Sequence, residues 1–305
     1  MANSIIEFLG SPPAAPVFML ALGVGVVYSK KNSAEDLATR GCRMFVMSYI
    51  YNLLVYALPH IILFFTDKDT EHLATAIEEF SNVDILQFAS LAFLTFAFIK
   101  KLKWGTPQII VYTVMVSLAG EFAVNNISIP EGGAAYVLGL FWGSCEASFF
   151  PYASWIIFPM AGYIFGMKLS ECKDKQAFYL GILKCFAPIY VVMMINAADA
   201  GIDFGQLTGE YQTSYYHLGL YGGVCLTAFA LAWFAICYFV SKIIPEGIMD
   251  YLKNLSRNIT KIYVLQYILI IYSYEFIVGE ESNLGLTLTL IASFIIFTIT
   301  KYIHI

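Results

Sequence analysis

A chain of 305 residues that is 59% hydrophobic, 16% aromatic and only 13% charged is no ordinary soluble domain, since soluble domains carry about twice that share of charge. Its net charge of −5 matters less for its sum than for its distribution along the chain, and no nucleic-acid partner is expected. Apolar runs recur from end to end, many near the roughly 20 residues that a bilayer crossing takes. Peptide groups inside a bilayer must be satisfied within the segment, so the spans are helical. The fold class is therefore all-α, a polytopic transmembrane helical bundle making one integral-membrane domain over residues 1–305. The alternating ten-residue segments of a transmembrane barrel are absent.

The first span, Ala14–Ser29, follows the prolines Pro12, Pro13 and Pro16, and Gly23 and Gly25 give it a small face for helix packing. A cytoplasmic loop, Lys30–Arg43, leads into a second span, Met44–Phe65. The acidic outer segment 67–84 carries Leu73, Ala76, Ile77 and Phe80 at helical spacing, which predicts an amphipathic surface helix. The third span, Val83–Ile99, stops at Lys100, Lys101 and Lys103, and the fourth runs from Pro107 to Asn125. Residues 131–148 are apolar but short and broken by glycine, the pattern of an interfacial or re-entrant helix on the outer face.

The fifth span, residues 149–169, runs inward to Lys168, Lys173 and Lys175. Phe178–Ile195 is the sixth span, followed by an acidic, tyrosine-rich outer loop, Asn196–His217, and a seventh span, Leu218–Val240. A cytoplasmic loop over residues 241–261 is expected to hold a short surface helix. Spans eight (Ile262–Val278) and nine (Leu284–Ile303) then form a hairpin. Of the 17 Lys and Arg residues only Lys68 falls on the outer side of this arrangement. Basic residues stay cytoplasmic, so the count of about nine spans implies an N-terminus outside and a C-terminus inside, in the plasma membrane.

The six cysteines (Cys42, Cys145, Cys172, Cys185, Cys225, Cys237) form no CxxC pair and read as small packing residues, with neither a disulfide framework nor a metal site. No phosphate-binding loop, dinucleotide fingerprint or HExxH is present. Cations that suit an anionic ligand gather at the inner ends of the spans: Arg40, Arg43, Lys100, Lys101, Lys103 and Arg257. The guanidinium fork matches phosphate geometry, although all six also serve as topology determinants. Four histidines are available. His304 and His72 read as solvated and His60 as a packing residue; His217, beside Tyr215 and Tyr216, sits where an outer acceptor or an aromatic belt would lie. Carboxylates at the membrane edge are costly, which singles out Glu121, Glu146 and Glu275.

The segment APVFMLALGVGVVYS, followed by the LATRGCR loop, resembles the polytopic membrane acyltransferases that include heparan-alpha-glucosaminide N-acetyltransferase and its bacterial relatives; Pro16, Phe18, Gly23 and Arg40 carry the likeness. DILQFASLAFL with Gln87, FFPYASWIIFPMAGYIFG, and NLSRNITKIYVLQY with Asn258 are similar to later segments of that family. The resemblance implies transfer of an acetyl or acyl group from cytoplasmic acetyl-CoA, as acyl-donor substrate, to an extracytoplasmic sugar acceptor, with no metal. On that reading Arg40, Arg43, Arg257, Asn258 and Gln87 are the donor candidates, with Arg40, Gln87 and Asn258 matching the family's segments, and His217 and Glu146, singled out by their outer positions, are the catalytic candidates. Family members usually have one more helix, with a catalytic His in the loop after it, and here no His precedes His60. The expectation is thus a shortened or divergent member of the family. A small-molecule permease and a silent scaffold are the other readings; the absence of an internal repeat weighs against the permease.

Overall fold

The computed structural model describes residues 8, 10, 12–129, 132–145, 147–202, 215–278 and 286–304. The chain is 83% helix, and the only β-type pairing among the described residues is a bridge between Val83 and Ser148. Five of the described helices are long and apolar enough to cross a membrane: Ala34–Asp67, Ile85–Leu102, Thr106–Asn126, Lys175–Ala200 and Leu220–Ser241. Ala15–Tyr28 and Ile291–Thr300 are shorter apolar helical stretches. This is the make-up of a helical membrane protein. The chain divides into two compact units, one of Met1–Ser48 with Asn82–Lys242, the other of Tyr49–Ser81 with Ile243–Ile305.

In the first unit, α1 (Ala15–Tyr28) begins with Pro16 in its first turn, where a proline's missing N–H costs nothing. The cytoplasmic loop expected over Lys30–Arg43 is largely helix, because α2 (Ala34–Asn52) starts early. A short local signal explains the correction. The Ser33 hydroxyl accepts the N–H of Asp36 at 3.1 Å and donates to its carboxylate at 2.7 Å, and Glu35 and Asp36 occupy the electropositive first turn.

Helix α5 (Ile85–Leu102) opens with a reciprocal cap from Asp84 and Gln87 and closes at Lys103 in the left-handed region (φ 53°). Helix α6 (Thr106–Asn126) follows after one tight turn. The described residues of the 131–148 stretch hold a six-residue helix, α7 (Gly133–Leu138), followed by residues without regular helix. The end of this stretch pairs with Val83, which donates to the Ala147 carbonyl at 2.8 Å, while the N–H groups of Phe149 and Phe150 just beyond it both reach the Val83 carbonyl. Helices α8 (Tyr152–Trp155) and α9 (Ile157–Glu171) make up the fifth apolar segment. Helix α10 (Lys175–Ala200) is longer than expected and carries Pro188 internally, and α11 (Leu220–Ser241) matches the seventh expected span.

Two elements of this unit approach backbone to backbone. A Cβ at Gly23 on α1 would overlap the carbonyl oxygen of Pro159 on α9, and one at Gly162 would overlap the carbonyl oxygen of Leu20. Without a hydrophobic drive between helices in lipid, close packing of this kind holds them together. Around it lies the core, with Met19, Phe88, Phe93, Phe96, Trp155 and Phe158 all at 2% exposure or less.

In the second unit the chain passes through a π turn at Leu53–Ala57 into α3 (Leu58–Asp67) and α4 (Thr70–Ser81), the expected amphipathic outer helix, with Ala76 buried. Asn52, fully buried, donates to the carbonyl of Phe80 at 3.1 Å. The cytoplasmic loop expected over 241–261 is instead the beginning of one 28-residue helix, α12 (Glu246–Ser273). Pro245 sets its N-terminus, and no later proline interrupts it. A second π turn at Tyr274–Val278 extends α12, and α13 (Leu286–His304) ends the chain's described part. The Tyr272 hydroxyl, near the end of α12, donates to the Leu54 carbonyl in the first π turn at 2.8 Å.

Candidate functional site

The residues predicted from the sequence to carry chemistry do not form one cluster within the first unit; they gather at two levels. Arg40 lies on α2, one residue before Gly41, where a Cβ would lie 2.9 Å from the Leu94 side chain and 3.0 Å from the Ser90 carbonyl oxygen. That contact brings α2 close to α5, and the Arg40 guanidinium covers the Phe93 ring at 4.2 Å. Lys100, near the end of α5, lies 5.9 Å from the Tyr163 ring centroid, and Tyr163 packs on Phe96 at 5.1 Å. Arg40 and Lys100 each cover a ring of the same core cluster, Arg40 near the middle of α5 and Lys100 near its lysine-bearing end. Arg43 is exposed on α2, a turn further along.

Gln87 lies apart from these cations. It is fully buried in the first turn of α5, where its Oε1 accepts the N–H of Asp84 at 3.2 Å. Its Nε2 is buried without a hydrogen-bond partner. Thirteen residues of helix separate it from Lys100, roughly 20 Å along the axis.

His217 lies just before α11. Its Nε2 meets the carbonyl oxygen of Ser148 at 2.7 Å. A carbonyl only accepts, so Nε2 carries the proton, and in the neutral ring Nδ1 is the basic nitrogen. Gly143 lies against the same ring, since a Cβ there would fall 2.6 Å from the imidazole carbons. Burial pushes the His217 pKa down, opposed by the Ser148 carbonyl, so the ring is neutral near pH 7. Around it, Trp155 donates through Nε1 to the Tyr216 carbonyl at 2.8 Å, and a Glu121 oxygen accepts the N–H of Leu220 at 3.0 Å. Glu146, the other residue predicted to be catalytic, lies outside the described residues.

Arg257 and Asn258 belong to the second unit, on α12. Arg257 is exposed, and Asn258 donates to the carbonyl and side-chain oxygens of Asn254, one turn back. In the same unit His60, read from the sequence as a packing residue, has its Nε2 4.0 Å from Glu275 and its ring stacked on His72, which in turn bonds Asp67 at 3.0 Å. Among the described residues no group of His, Cys, Asp and Glu is arranged to hold a metal ion.

Sequence reasoning missed a chain of hydroxyls inside the first unit. Thr95 Oγ1 lies 2.5 Å from the Tyr152 hydroxyl, which lies 2.6 Å from that of Tyr112. A threonine and two tyrosines inside apolar spans were the available signal, because polar groups there need partners. In comparisons with known proteins, the chain matches no family model, no curated protein and no solved structure.

Proposed function

We propose that this protein is a membrane-embedded acyltransferase of about nine spans, N-terminus outside and C-terminus cytoplasmic, which moves an acetyl group from acetyl-CoA to an extracytoplasmic sugar. The observation that carries the reading is the state of His217: its Nε2–H is tied to the Ser148 carbonyl, its ring is neutral, and Nδ1 is left with the basic lone pair. That is what a general base working near neutral pH requires. The acceptor hydroxyl or amine gives its proton to Nδ1 as its oxygen or nitrogen attacks the thioester carbonyl carbon. The new C–O or C–N bond forms, the C–S bond breaks, and the thiolate leaves with the proton that His217 held.

Support for the donor end is the pair Arg40 and Lys100 over Phe93 and Tyr163. Arginine offers the forked, permanently charged group that phosphates prefer. Arg43, exposed on the same helix, adds charge at that end.

The test uses the purified full chain in detergent. CoA should raise its melting temperature, and Arg40→Ala should abolish the rise. In vesicles, radiolabel from acetyl-CoA should enter a glycan acceptor and fail to do so with His217→Ala. Absence of any CoA binding by the wild-type protein overturns the reading.

A further inference from the structure

Three hydroxyls and one carbonyl form an unbranched chain across α5, α8 and α6: the Leu91 carbonyl, Thr95 Oγ1 (2.9 Å), the Tyr152 hydroxyl (2.5 Å) and the Tyr112 hydroxyl (2.6 Å). Each hydroxyl carries one proton, and the carbonyl carries none. Three contacts therefore take three protons, and only one order is possible. Thr95 donates to Leu91, Tyr152 donates to Thr95, and Tyr112 donates to Tyr152. The Leu91 carbonyl thus sets the direction of the whole chain.

The consequence falls on Tyr112. Its only proton points inward, so its oxygen offers outward nothing but lone pairs. Tyr112 is only partly buried, and it lies six residues into α6, about 9 Å from that helix's start. Beside it are Trp104, 5.5 Å between ring centroids, and beyond that Phe98, 5.3 Å from Trp104. With its proton used on Tyr152, the Tyr112 oxygen keeps acceptor capacity at that depth in an apolar span, available to a donor on a bound molecule.

We propose that the Tyr112 oxygen is a binding acceptor for an N–H or O–H on the otherwise apolar arm of a bound molecule, which lies along Trp104 and Phe98. Two sources supply that chemistry: the amide-bearing arm of an acyl-thioester donor, or the hydroxyl of a membrane lipid. The first identity rests on the acyltransferase reading; the acceptor role of Tyr112 does not.

The test measures binding to the full chain in detergent with two phosphate-free probes, pantetheine for the amide arm and a monoacylglycerol for the lipid hydroxyl. Tyr112→Phe should weaken the probe that fits by about three- to tenfold, the range of one hydrogen bond. Thr95→Val gives a sharper check, because it keeps the Tyr112 hydroxyl and changes only the proton order. Without Thr95, Tyr152 can donate to Tyr112, whose proton then turns outward. Wild type should reject pantetheine methylated on its amide nitrogens, and Thr95→Val should lose that preference while keeping its melting temperature.

A Tyr112-dependent probe supports the proposal and names the source. The proposal falls if Tyr112→Phe binds both probes as tightly as wild type, if neither probe binds, or if Thr95→Val keeps the wild-type preference. CoA binding that depends on Arg40 without any Tyr112 dependence would sink this proposal and leave the acyltransferase reading standing. Tyr112-dependent pantetheine binding by a protein that does not bind CoA would do the reverse.

Discussion

His217 and Ser148, 69 residues apart, are joined by a 2.7 Å hydrogen bond from the imidazole Nε2 to the backbone carbonyl. That bond ties the irregular segment after α7 to the approach of α11, and it settles which ring nitrogen holds the proton. One contact thus has a structural role and a chemical one.

The first prediction concerns pH. Burial lowers the folded-state pKa of His217 below the ordinary 6.5. Between the two values the unfolded chain binds more protons than the folded one, so stability rises with pH across that window. His217 costs nothing above about pH 6.5, and stability is lost as pH falls through the folded-state value. The His217 contribution should lower the melting temperature in detergent as pH falls from about 6.5 to that value, and level off below it. His217→Gln, which keeps a donor for Ser148 but does not titrate, should decline less steeply.

The crossing of α1 and α9 gives a contrast within one helix. Gly23→Ala places a methyl group into the Pro159 carbonyl, and Gly162→Ala does the same at Leu20. Each should destabilise by about 1–3 kcal/mol, the usual penalty of overpacking, or more. Gly25 has open space around its missing Cβ, so Gly25→Ala should be neutral or stabilising by up to about 1 kcal/mol. Thermal unfolding of the three variants measures the difference, and equal effects would rule out the close crossing.

Trp155 is fully buried and donates to the Tyr216 carbonyl. Trp155→Phe removes ring volume and the Nε1–H that the Tyr216 carbonyl accepts. The expected loss is about 2 kcal/mol, read as a lower melting temperature with a native helical circular-dichroism spectrum.

Gln87 separates a packing role from a ligand role. Its Oε1 caps α5, and the side chain is fully buried. Gln87→Ala should therefore cost about 1 kcal/mol or more in stability and leave CoA affinity unchanged. A loss of affinity at unchanged stability would instead place Gln87 at the donor.

How far the sequence could be read depended on the range of the interaction involved. Helices built from apolar runs, such as Leu220–Ser241 and Thr106–Asn126, came close to their expected limits, because the signal is repeated over twenty residues. The start of α2 was missed because its signal, Ser33 with Asp36, is only four residues long and lies among charges that read as loop. The 28 residues of α12 were split because charge was read as a boundary, whereas a helix continues through charged residues until something breaks it. For the site, His217 stood out by its position beside two tyrosines, but its partner Ser148 did not, since a backbone carbonyl leaves no mark on the sequence.

By itself the sequence determined an all-helical chain with several apolar, membrane-length segments, because composition and hydropathy run are local properties that each segment carries alone. Only the tertiary structure decided that Nδ1 of His217 is the basic nitrogen, that Gly23 and Gly162 are where two backbones meet, and that the protons of Thr95, Tyr152 and Tyr112 run one way. Each of those outcomes depends on which atom lies opposite another across tens of residues. Such partners become neighbours only when helices pack, so no reading of one segment contains them.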